Sequence, residues 1–222
     1  MDLLPVTITM DERLYAKNPE SSDLGRRIVS ESIVMIDELG FEGFTFKKLG
    51  NRIGSNESSI YRYFKSKHQL LLYLICWYWS WLEYRVVFST NSLPTPEQQL
   101  KQALHILTQQ IDQDQDFSYI DEALLSKIIV AEGAKAYHTK AVDRENEKGF
   151  FKVYKRLVHR LSSMVLAIQP DYPYPHMLIS TAIEGAHQQR YFAQHLPALT
   201  DVAPHQDNIQ LFYTDLVLNA IQ

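Results

Sequence analysis

The sequence TFKKLGNRIGSNESSIYRYFKSK, residues 45–67, determines the fold of the N-terminal part of this chain. Thr45 is a preferred N-cap residue, and the apolar residues behind it recur at helical spacing, which predicts a helix of about two turns over 45–53. Gly54 permits a tight turn, and a second short helix is predicted over 56–62. Two short helices joined by a glycine turn are typical of a helix-turn-helix, whose second helix can enter the major groove of DNA.

The outward side chains of the second helix can all form hydrogen bonds. Asn can read adenine, Glu can accept from cytosine, Arg can read guanine, and Ser and Tyr can reach phosphates or bases. Lys65, Lys67 and the start of the helix after Ser66 offer phosphate contacts, and Gln69 completes a capping box with Ser66. The predicted DNA contacts are Thr45, Lys47, Lys48, Ser55, Asn56, Glu57, Ser58, Ser59, Tyr61, Arg62, Tyr63, Lys65 and Lys67. A merely solvated polar face accounts for any one of these residues, but not for the set.

Charge is distributed unevenly along the chain. The whole protein carries 22 Lys and Arg against 26 Asp and Glu, a net charge of -4. Residues 24–67 carry eight bases and five acids, a net of +3, which leaves -7 for the rest. The average excludes a protein that coats DNA along its whole surface, and the division favours an anion-binding module joined to a domain with a different task.

Residues 26–75 resemble the DNA-binding domain of the tetracycline-repressor (TetR) family. The resemblance is carried by the motif SSIYRYFKSKHQLL, residues 58–71, preceded by Thr45, Leu49 and Gly54 in order and spacing. It implies a homodimeric, ligand-responsive transcription factor with three N-terminal helices for DNA and about six more for ligand binding and dimerisation.

The resemblance also implies roles for single residues. Lys47 would approach bases or phosphates, Glu57 and Ser58 would face bases, and the implied phosphate contacts are Tyr61, Tyr63 and Lys67. Three residues depart from the family pattern in the helix-turn-helix itself. One of them, Glu57, puts an anion among the DNA contacts, so the base preference cannot be taken from a relative. Gly50 replaces the usual alanine and is expected to weaken its helix by ~1 kcal/mol, and Ser55 stands where a small aliphatic residue is usual.

An all-α chain is expected, because apolar residues recur at spacings of three and four and the chain has only 8 Gly and 9 Pro. About nine helices are predicted, over 24–39, 45–53, 56–62, 66–90, 96–113, 118–133, 138–168, 174–195 and 205–221. Residues 1–22 form a leader without an assigned role. Residues 23–67 are predicted to form the helix-turn-helix domain, and residues 68–222 a larger helical effector-binding and dimerisation domain.

Aromatic residues in the larger domain suggest a pocket for an apolar or aromatic effector. The candidate pocket residues are Trp77, Trp81, Tyr84, His105 and His187. Aromatic side chains at helical spacing also form ordinary protein core, and a histidine within an apolar helix can be a satisfied core residue. The sequence leaves both interpretations open.

Small and large apolar residues alternate near the C-terminus in a way that suits close helix packing. The candidate dimer contacts are Met177, Ile183, Ala186, Tyr191, Phe212 and Leu216, which would form a four-helix interface between two subunits. The same residues could instead form an intramolecular core, and only the family resemblance favours the interface.

Several other classes of protein lack sequence support. Cys76 is the single cysteine, which excludes an intrachain disulfide and favours a reducing cytoplasm. The longest charge-free apolar run, 70–82, is too short for a membrane span. The histidine spacing predicts no metal site, and no nucleotide, cofactor or hydrolase motif is present.

The sequence therefore predicts a cytoplasmic regulator, not an enzyme, that binds a pseudo-palindromic DNA operator as a homodimer. It is expected to act as a repressor that a small-molecule effector releases. The competing hypothesis is a helical sensor or adaptor that does not bind DNA specifically.

Overall fold

The computed structural model describes residues 8–111, 119–202 and 207–222. Within these ranges the regular structure consists of eleven α-helices and three short 3-10 helices, without any strand. The all-α prediction is therefore confirmed. None of the helices in the described ranges is both long and apolar enough to cross a membrane.

The helix bounds agree with the predicted ones over most of the chain. The helices are α1 (Asp23–Gly43), α2 (Phe46–Arg52), α3 (Glu57–Tyr61), α4 (Lys67–Thr90), α5 (Pro96–Thr108), α6 (Glu122–Glu132), α7 (Ala134–Tyr137), α8 (Val142–Glu147), α9 (Lys152–Ile168), α10 (Pro175–His195) and α11 (Asn208–Ala220). The prediction of a single helix over 138–168 is wrong. The structure has two helices there, α8 and α9, with Gly149 between them at a φ of 83°.

Contacts divide the chain into two compact units. The first comprises the described residues of Met1–Tyr78 and Ile111–Phe151, and the second comprises those of Trp79–Gln110 and Lys152–Gln222. The predicted assignment of DNA binding to 23–67 and of effector binding and dimerisation to 68–222 concerns function, and it stays a prediction.

The core of the first unit forms around α1. This helix buries one apolar stripe that includes Ile28, Ile33 and Ile36, and it packs against α2 and α6. The short 3-10 helix Pro19–Ser21 also packs on α1. The helix-turn-helix thus rests on a helix that is anchored on several sides.

The second unit is a bundle of helices. Within it α9 packs against α5 and α10, and α11 packs against α5 and α10. Asp207 caps the start of α11 and forms an ion pair of 2.8 Å with Arg190 of α10. This pair ties α11 to α10.

Candidate DNA interface

Side-chain caps define both short helices of the helix-turn-helix. Thr45 Oγ1 accepts a hydrogen bond of 3.2 Å from the backbone N–H of Lys48, which fixes the start of α2 as predicted. Gly54 makes the turn at a φ of 63°. Asn56 caps α3 by accepting from the N–H of Ser59 at 2.8 Å.

Gly50 allows α2 and the turn to approach each other closely. The N–H of Ser55 donates to the carbonyl of Gly50 at 2.8 Å, and a Cβ at residue 50 would stand 2.7 Å from the carbonyl oxygen of Ser55. The expectation that Gly50 only weakens its helix was incomplete, because this contact leaves no room for a side chain at residue 50.

The predicted contact residues differ in exposure. Eight of them are exposed, namely Thr45, Lys47, Lys48, Asn56, Ser58, Tyr61, Arg62 and Lys65. Four others are partly exposed, namely Ser55, Glu57, Ser59 and Lys67. Tyr63 is the exception in the set, because its side chain is only 3% exposed.

The exposed face of α3 is ordered by bonds among its own side chains. Asn56 Oδ1 accepts hydrogen bonds of 2.7 Å from the hydroxyls of both Ser58 and Ser59. The Tyr61 ring packs edge-on against Phe46 with a centroid distance of 5.1 Å, and 48% of the residue remains exposed. The face therefore presents polar groups in held positions, which lowers the entropy lost when a partner binds.

Tyr63 joins the helix-turn-helix to the N-terminal segment. Its hydroxyl lies 2.8 Å from Ser22 Oγ and accepts from Lys17 Nζ at 3.1 Å, while its carbonyl accepts from the N–H of Ala16 at 2.7 Å. Burial opposes ionisation, yet the Ser22 hydroxyl and the Lys17 ammonium hold the pKa of Tyr63 below its ordinary value. The prediction that Tyr63 faces outward is wrong, because the polar leader covers its ring.

Several bases of the N-terminal unit are engaged within the protein. Lys67 Nζ donates to the carbonyl of Phe41 at 3.0 Å and lies over its ring, and Lys48 Nζ donates to the carbonyl of Gly43 at 2.8 Å. Arg52 forms ion pairs with Glu31 and Glu38.

Three other bases of the helix-turn-helix are free to meet an anion. Within the described ranges Lys47, Arg62 and Lys65 have no carboxylate within 4 Å, and all three are exposed. These three side chains are therefore the best candidates for contacts with DNA phosphates.

The predicted pocket residues fall in both units. Trp77 belongs to the first unit, and the other four belong to the second. Trp81 is buried, Tyr84 is 38% exposed and His105 is exposed. In the second unit His187 is buried with its ring 5.7 Å from that of Trp79, and burial together with the charge of Arg190 lowers its pKa to about 4.

The predicted dimer residues also divide by exposure. Ile183 and Ala186 are fully buried within the chain itself, which places them in the intramolecular core that the sequence left as an alternative. Tyr191 is partly exposed. Met177, Phe212 and Leu216 are 67%, 58% and 40% exposed, respectively, and they are available to a second subunit.

The described residues form an all-helical fold that contains a helix-turn-helix in its first unit. Residues 28–74 match the family model described as "Bacterial regulatory proteins, tetR family". The chain therefore carries a tetR-family helix-turn-helix domain, as the sequence motif predicted. No curated protein matches the sequence.

Solved structures share the fold over most of the chain. A transcriptional regulator from Rhodococcus sp. Rha1 is 15% identical with a TM-score of 0.64, covering 92% of this chain and 96% of its own. The TetR family transcriptional regulator PfmR from Thermus thermophilus is 14% identical with a TM-score of 0.60, covering 87% and 97%. AibR, in complex with isovaleryl coenzyme A and operator DNA, is 13% identical with a TM-score of 0.56, covering 86% and 97%. At these identities the likeness concerns the fold.

Proposed function

We propose that this protein is a DNA-binding transcriptional regulator whose recognition helix is α3. The observation that carries the proposal is the exposed polar face of a short, capped helix. It is followed by Arg62 and Lys65, exposed bases that form no ion pair among the described residues. A helix of this kind can read base edges while the neighbouring cations contact phosphates. The fold shared with AibR, which was solved with operator DNA, supports the same assignment.

Fluorescence anisotropy against the upstream region of the protein's own gene tests the proposal. We expect salt-sensitive binding that prefers this region over random duplex, with the salt slope reduced by about 1 in Arg62→Gln and in Lys65→Gln. Lys101→Gln is the matched control, since Lys101 is an exposed base of α5 in the second unit. Equal affinity for random duplex at moderate salt would instead favour the sensor or adaptor hypothesis.

The proposed regulator acts as a homodimer through α10 and α11. These helices expose several large apolar side chains, among them Met177, Leu211, Phe212 and Leu216. Phe212 and Leu216 lie four residues apart on one face of α11, and two copies could bury these side chains in a four-helix interface. A dimer would present two recognition helices to a pseudo-palindromic site, about 34–36 Å apart.

Sedimentation velocity tests the dimer. The wild-type chain should sediment as a dimer, and Phe212→Glu combined with Leu216→Glu should produce a folded monomer that binds the operator poorly. Leu166→Glu is the matched control, because Leu166 is a leucine of similar exposure on α9. A wild-type monomer at micromolar concentration would refute this part of the proposal.

A small-molecule effector of the second unit is proposed to release the protein from DNA, so that the protein acts as a repressor. The support is the fold shared with AibR, whose structure holds isovaleryl coenzyme A. If the effector lowers the affinity for DNA by some factor, linkage requires that DNA lowers the affinity for the effector by the same factor. Titrations of each ligand with and without the other measure both factors. Expression of a reporter gene controlled by the operator should increase when effector is added.

A further inference from the structure

Helix α9 has a strongly basic exposed face. Its first nine residues contain Lys152, Lys155, Arg156, His159 and Arg160, and all five side chains are exposed. The whole helix contains no Asp or Glu. This concentration of positive charge is unexpected, because the chain outside residues 24–67 carries a net charge of -7.

Part of the basic face lines a concave groove within the second unit. The groove has a volume of about 440 Å³ and lies between the start of α5 and α9. Its polar wall includes Arg156, His159, Arg160 and Ser163, and its apolar wall includes Pro96 and Met164. None of the residues that the sequence predicted for an effector pocket lines it. The volume lies within the range of small-molecule sites, ~300–1,000 Å³.

The cations of the groove are held differently. Arg156 forms two hydrogen bonds with the carboxylate of Glu83, one of them at 2.5 Å, so its guanidinium is fixed in orientation. Arg160 forms no ion pair within the described ranges. His159 Nδ1 lies 3.3 Å from His176 Nε2, which holds its ring at the edge of the groove. The Ser163 hydroxyl already donates to the carbonyl of His159 at 3.0 Å. One oriented guanidinium and one uncompensated guanidinium thus lie beside an apolar wall.

We propose that this groove binds a small phosphate monoester with an apolar group. A phosphate dianion accepts several charge-assisted hydrogen bonds at once, and the planar guanidinium of Arg160 matches its geometry better than a single amino group would. The apolar wall at Pro96 and Met164 covers the non-polar part of the ester. Because one wall of the groove is apolar, it favours an ester with a non-polar group over the polar backbone of a nucleic acid. The site goes beyond the proposed DNA-binding function and does not depend on it.

Isothermal titration of the full-length protein with phenyl phosphate tests the proposal. We expect saturable one-site binding that weakens at least about tenfold in Arg160→Gln, because a charge-assisted hydrogen bond is lost. Lys155→Gln is the matched control, since it removes one charge from the same helix without touching the groove. Binding to the control should stay within twofold of the wild-type value, and both variants should keep the wild-type melting temperature.

Three further probes separate the alternatives. Inorganic phosphate and phenol should each bind more weakly than phenyl phosphate, because each lacks one half of the proposed ligand. Equal weakening in Arg160→Gln and Lys155→Gln would show general attraction to a basic helix and overturn the proposal. Binding of polyglutamate without binding of phenyl phosphate would also overturn it, because the surface would then recognise an acidic polypeptide.

Discussion

The carbonyl oxygen of Ser55 lies 2.7 Å from the position that a Cβ on Gly50 would occupy, and the Ser55 N–H donates to the Gly50 carbonyl at 2.8 Å. Alanine at residue 50 would favour the helix by ~1 kcal/mol on propensity alone. The collision involves backbone atoms, which cannot rotate away, so we expect the steric cost to exceed the gain.

Gly50→Ala should therefore destabilise the protein by ~1–3 kcal/mol, the usual cost of an overfilled contact. Urea unfolding measures this loss. Asn51→Ala is the control, because Asn51 is exposed on the same helix and its substitution should leave the free energy of unfolding unchanged or slightly raised. A Gly50→Ala protein as stable as wild type would show that the turn shifts at no cost.

Short-range signals explain why the helix-turn-helix could be predicted. The Thr45 cap and the Gly54 turn each depend on residues within a few positions, and these patterns are visible in one sequence. The bond from the N–H of Gln69 to Ser66 Oγ, at 3.1 Å, confirms the cap of the next helix, although the Gln69 side chain accepts from Lys65 rather than completing the predicted box.

Contacts between distant residues could not be predicted in the same way. Tyr63 meets Ser22 and Lys17 across 41 and 46 residues, and Arg52 meets Glu31 across 21. No local pattern encodes such pairs. The break at Gly149 was missed for a different reason, since a lone glycine inside a helical pattern is often tolerated.

Tyr63→Phe tests the attachment of the N-terminal segment. Loss of the hydroxyl removes the bonds to Ser22 and Lys17, so the free energy of unfolding should fall by about 1 kcal/mol. A double-mutant cycle with Lys17→Met measures how much of this loss belongs to the Lys17 contact. Strictly additive losses would mean that the two side chains do not interact in solution.

Tyr61→Phe separates DNA contact from folding. The ring would keep its edge-on contact with Phe46, so the melting temperature should not change, whereas loss of the exposed hydroxyl should weaken operator binding about fivefold. Tyr61→Ala should reduce both stability and affinity. If Tyr61→Phe binds the operator like wild type, its hydroxyl makes no useful contact with DNA.

Cys76 is expected to be inert in the folded protein. Its thiol is buried and donates to the carbonyl of Phe150 at 3.0 Å, and burial raises the pKa of Cys76 to about 12. Because the thiolate is the reactive form, labelling by Ellman's reagent at pH 8 should be roughly a thousandfold slower than for a free thiol. Full labelling should follow in urea, and rapid labelling of the native protein would contradict the buried position.

His187 should make stability depend on pH. Burial, with the charge of Arg190, lowers its pKa in the folded protein to about 4, whereas the unfolded chain has the ordinary value near 6.5. The unfolded state therefore binds the proton more readily, and stability should fall as the pH drops from about 6.5 to about 4, by up to about 3 kcal/mol. His187→Gln lacks this titration, so its stability should decline less than that of wild type over the window. Between pH 7 and 9 the histidine is neutral in both states, so the free energies of unfolding of wild type and His187→Gln should change with pH in parallel. If they also change in parallel below pH 6, the histidine is not buried in its neutral form.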